Sequence, residues 1–128
     1  MNQKQLVVVI AICGSIGVMA ARAQAPDDER RAALTVMRAI NTAENAVRQT
    51  GGKYVELAAL LEHRSMGGVK PNIAANGNLI FHKGAQLRLA LSADASQYQV
   101  MVVPVDTCGV AVFSDERGLI YTGKVLDC

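Results

Sequence analysis

Histidine and cysteine are scarce in this chain, and aromatic side chains make up 4% of its 128 residues. Each shortage removes a class of chemistry. His63 and His82 are the two histidines, and neither belongs to a His-Glu-x-x-His spacing or a cysteine and acid cluster, so no zinc site is expected. Ser65, Ser92, Ser96 and Ser114 lack the Gly-x-Ser-x-Gly setting of an activated nucleophile. Gly51-Gly52 and Gly67-Gly68 are isolated pairs without the phosphate-loop pattern. No internal repeat or low-complexity segment is present. The sequence therefore predicts a protein that is not an enzyme, with no catalytic, cofactor-binding or metal residues.

The one long apolar run is also short for its type. Leu6–Ala20 is broken by Gly14, Ser15 and Gly17, and Leu6–Ala21 supplies 16 residues where a spanning helix needs about 20. Lys4 precedes it and no acid does. Ala21-Arg22-Ala23 and Ala23-Gln24-Ala25 follow as small-x-small sites, the order of a cleavable export signal. Pro26 disfavours a cut after Ala25, which leaves Ala23–Gln24 as the expected cleavage point. Residues 1–23 then read as signal peptide and 24–128 as one small domain, in the periplasm or outside the cell. The rivals are an uncleaved anchor and a lipoprotein at Cys13, which follows Ile12 where a small residue is wanted.

Removing that segment takes Lys4 and Arg22 and no acid. Basic residues fall from 13 to 11, against 11 acidic ones. A neutral domain offers no phosphate-binding stripe and no polybasic attraction to lipid, so nucleic acid is not an expected partner and no stable membrane anchor remains. The domain keeps two cysteines, Cys108 and Cys128. In an oxidising compartment they are most simply a disulfide closing a loop of about 20 residues, worth roughly 3 kcal/mol, the alternative being two free thiols.

What is present is patterning. Ala33, Val36, Met37, Ile40, Ala43, Ala46 and Val47 recur at helical spacing, with Arg30, Arg31, Arg38, Asn41, Glu44, Asn45 and Arg48 opposite. Gln24–Glu29 reads as a polar lead-in, where Asp27 or Asp28 caps a helix of about 22 residues that ends at Gly51-Gly52. Tyr54–His63 reads as a second helix, whose end suits the protonatable ring of His63. Arg64–Asn78 reads as loop. The period then changes to two over Leu87–Leu91 and Tyr98–Val102, with β-type runs at Val110–Phe113 and Leu119–Thr122 and a short one at Leu79–Phe81. Ala93–Ser96 and Asp115–Gly118 have turn composition, Gly118 suits a positive φ, and Pro104 closes a strand. The expected fold is α+β, a long helix on an antiparallel meander of about four strands. Asp106, Asp115, Glu116 and Asp127 sit on turns that could converge on Ca²⁺, although their spacing matches no EF-hand.

Two stretches resemble bacterial type IV pilin-like and pseudopilin-like proteins. One is Ala39-Ile40-Asn41-Thr42-Ala43-Glu44 with Gly51-Gly52-Lys53-Tyr54 and Leu57-Ala58-Ala59-Leu60. The other is Tyr98–Pro104 with Phe113-Ser114-Asp115-Glu116-Arg117-Gly118-Leu119-Ile120-Tyr121. The resemblance implies a helical spine on a meander with a C-terminal disulfide loop, and partners among envelope, pilus or secretion proteins. The chain departs from a prepilin at its start: Gly14 and Gly17 are followed by Ser15-Ile16 and Val18-Met19, and no acid occurs before Asp27. The expected function is an exported interaction domain. The alternative is a small-ligand or calcium-binding periplasmic domain.

Overall fold

The computed structural model describes the backbone of residues 6–70, 79–81, 84–106 and 108–124, and the side chains of 27–70, 84–106 and 108–124. The first helix, α1, spans Leu6–Gly51, 46 residues and about 69 Å. It runs through Gln24–Glu29, so the expected capped start at Asp27 or Asp28 does not exist. The alanines around this stretch favour helix on both sides of Pro26, which forgoes a single donor.

The far end behaves as its glycines require. Gly52 has φ 75° and its N–H bonds the Arg48 carbonyl at 2.7 Å, closing the last turn. The expected second helix is shorter than Tyr54–His63: α2 covers Leu57–Leu60, and a 3-10 turn, Arg64–Met66, follows. The supposed loop therefore contributes to the core, burying Met66 and Val69.

The sheet is a plain antiparallel meander, β1 (Leu79–Phe81), β2 (Ala85–Leu91), β3 (Tyr98–Val103), β4 (Val110–Asp115) and β5 (Ile120–Lys124), in that spatial order. Four strands carry most of it and β1 adds three residues at one edge. The register is continuous: Leu87 faces Val102, Val102 faces Val112, and Val112 faces Thr122. Side chains alternate between the faces. One face, with Leu87, Val100, Val102 and Val112, meets the helix stripe of Ala33, Val36, Met37, Ile40 and Ala43, and all of these are buried. Burying each of the larger side chains is worth roughly 1.5–3 kcal/mol. This is a helix segregated to one face of an antiparallel sheet, an α+β domain.

Candidate functional site

The polar face expected of α1 contains one error. Glu44 is 0% exposed. Its Oε2 accepts a bond from the Val55 N–H at 3.2 Å, while Oε1 has no hydrogen-bond partner. Burial pushes its carboxyl above the usual carboxylate range, and the Val55 bond offsets this in part. The signal was present in the sequence: Glu44 follows Met37 by seven residues and Ile40 by four, on the buried stripe itself.

A belt of hydrogen bonds joins α1 to the loop after it and to the sheet. The Arg48 guanidinium donates to the Tyr54 hydroxyl at 2.6 Å, and the Tyr54 and Tyr98 rings meet edge to face with centroids 4.7 Å apart. The Tyr98 hydroxyl donates to Asn41 Oδ1 at 2.8 Å. The Asn41 amide donates to Ser114 Oγ at 2.8 Å, and Ser114 donates in turn to the Leu119 carbonyl. Burial, then the neighbouring Tyr54, raises the Tyr98 phenol above its usual range. Ser114 is buried, and by accepting from Asn41 and donating to the Leu119 carbonyl it ties the β4–β5 turn to α1.

Two shallow clefts flank that turn. One, of about 460 Å³, is bounded by Ser92, Gln97, Gln99 and Asp115, and the other, of about 410 Å³, by Asn41, Thr42, Asn45 and Gly118. Tyr98, Glu116 and Arg117 border both. Asp115 accepts two bonds from the Arg117 guanidinium, which hold its carboxyl below the usual range. Asp106 accepts from the Cys108 N–H at 2.9 Å, and Asp127 lies outside the described residues. Among the described residues no group of three His, Cys, Asp or Glu is placed to hold a metal ion.

His63 lies beyond α2 and stands at the start of the 3-10 turn. Its Nδ1 accepts the Ser65 N–H at 3.2 Å and caps the start of the 3-10 turn, a role that needs that nitrogen unprotonated. His82 lies outside the described residues. Ala23 and Gln24 lie within the helical backbone of α1, and their side chains are outside the described set. Cys108 is exposed. Cys128 lies outside the described residues, so the expected C-terminal loop is not among the features described. No helix among the described residues is long and apolar enough to cross a membrane.

The feature that sequence reading missed is on the opposite face of the sheet. Met101 pairs with Phe113 and Phe113 with Tyr121, so three large side chains form one row across β3, β4 and β5. Met101 is 44% and Phe113 43% exposed, and the Phe113 and Tyr121 rings stack at 4.9 Å. Leu119 and Val105 add exposed apolar surface at the strand ends. Strand alternation places these residues outward, on the face opposite the helix. The chain matches no protein-family model, no curated protein and no solved structure.

Proposed function

We propose that this chain is an exported, non-enzymatic domain of pilin-like design that binds other proteins of the cell envelope, as an accessory to a pilus or secretion system. The observation that carries this reading is the outward row Met101–Phe113–Tyr121, an apolar surface on the face the helix does not cover. Exposed apolar side chains gathered in one row suit partner contact better than solvent. The helix-on-meander arrangement and the Ile40–Glu44 and Phe113–Tyr121 motifs support the pilin-like part. In this reading Cys128 is the disulfide partner of Cys108 and ties the C-terminus to the β3–β4 connection. Residues 1–23 act as the export signal and leave Gln24 as the new N-terminus. The rival ligand-binding reading would draw on Asp115 and Glu116, but Arg117 already occupies the Asp115 carboxylate.

Photo-crosslinking in the producing cell tests it, with the reactive group at Phe113 and a control at Arg38 on the exposed helix face. The expected result is an envelope-protein adduct at Phe113, none at Arg38, and a protein in the exported fraction that begins at Gln24. A protein confined to the cytoplasm, or one that crosslinks equally at both positions, overturns the reading.

A further inference from the structure

Among the described residues, the last strand of the sheet is paired along one edge only. Among the described strands β5 pairs with β4 alone, in a register that runs without a bulge from Ser114–Ile120 to Val110–Lys124. The backbone groups of β5 that turn away from β4 therefore offer a template for another strand. Proteins usually protect such an edge with proline, a bulge or inward charge. β5 has none of these except Lys124 at its end.

We infer that β5 pairs antiparallel with β5 of a second copy of this chain, about a two-fold axis at Thr122. The choice of axis follows from pattern and length. An axis on a residue keeps outward side chains opposite outward ones, whereas an axis between residues would turn every side chain to the wrong face. Placing it at Thr122, the middle of Ile120–Lys124, uses all five residues of the strand.

That register has two consequences. Tyr121 of one copy lies opposite Gly123 of the other on the outward face. A side-chain carbon built on Gly123 meets nothing within 4 Å, so the space beside it is open to a neighbouring ring. Covering an edge glycine with a cross-strand aromatic is a favourable pairing. The row Met101–Phe113–Tyr121 then continues into Gly123, Ala111 and Val103 of the second copy, and the reverse holds by symmetry. Two apolar rows become continuous across the joint.

Charge agrees with geometry. Lys124 faces the helix side of the sheet, as Thr122 and Ile120 do, and Glu116 borders the helix-side cleft. Neither has an ion-pair partner among the described residues. The two-fold brings Lys124 of each copy beside the turn that carries Glu116 of the other, and it apposes no like charges. Thr122 is exposed, so α1 leaves the edge open. The inference is independent of the functional reading above, because it rests on the edge and its register.

Sedimentation equilibrium on the full chain over a concentration series tests it, using wild type, Thr122→Glu and Thr122→Lys. Each substitution sets like charges face to face at the axis while altering an exposed side chain. Each is expected to weaken dimerisation about tenfold. An equimolar mixture of the two variants is expected to recover it, because Glu then faces Lys. Circular dichroism spectra matching wild type show that both variants fold. A wild-type chain that stays monomeric throughout overturns the inference, as does association that both variants retain, or that their mixture fails to restore.

Discussion

At the scale of single residues, the buried carboxyl of Glu44 is the group whose energetics stand out. A carboxylate removed from water and bonded to one N–H is poorly compensated, so the folded state favours the protonated form. The sign follows directly. With the folded pKa above the unfolded value near 4.5, the contribution to stability is fully present below about pH 4.5 and is lost as pH rises through the folded value. Glu44→Gln keeps an oxygen to accept from Val55 and removes the charge. The variant is expected to be more stable than wild type at pH 7 by about 1 kcal/mol and to match it near pH 4. Denaturant melts of both proteins across that range give the difference. A gap that does not change with pH would show that Glu44 is ionised in the fold at no cost.

At the scale of elements, the polar belt acts through the connections rather than the helices and strands it joins. The β2–β3 turn is tied by Asp94, which accepts from Ser92 and Ser96 and whose carboxyl is held down to about 2. The same turn forces Ala95 to φ 56°, and the Ala95 carbonyl takes the Tyr54 N–H at 3.0 Å. A left-handed alanine is strained by about 1 kcal/mol, retained here because it aims that carbonyl at the loop after α1. Ala95→Gly is expected to raise stability by about 0.5 kcal/mol, the relieved strain less the added chain entropy, visible as a small rise in melting temperature. A lower melting temperature would mean that the methyl group packs usefully. These connections also explain what was legible in the sequence. The stripe on α1, the two-residue alternation of β2 and β3, and Gly52 and Gly118 at positive φ all follow from local chemistry that a single sequence displays. Glu44 was misplaced because its polarity outweighed its position on the stripe. The belt Asn41–Tyr98–Ser114 joins residues 57 and 73 positions apart, and no local pattern announces it. The outward row stayed hidden for a related reason: the sequence shows Phe113 and Tyr121 in β-type runs, and only the register shows that they share a face with Met101.

At the scale of the whole molecule, α1 is much longer than the sheet it covers. Its buried side chains among the described residues begin at Ala33, while the helical backbone begins at Leu6. The longest strand has seven residues and spans about 24 Å, against about 69 Å of helix. The stretch from Ala33 to Gly51 is 19 residues, about 28 Å, which matches the sheet. The buried stripe of the described residues therefore belongs to the second half of α1. A chain beginning at Gln24 is expected to keep the full set of buried residues and to melt within about 3 °C of the full-length protein, a shift below about 1 kcal/mol at this size. Calorimetry on the two chains makes the comparison. A loss of cooperative melting in the shorter chain would place residues 1–23 inside the folding unit, and they could then no longer be a segment the mature protein discards.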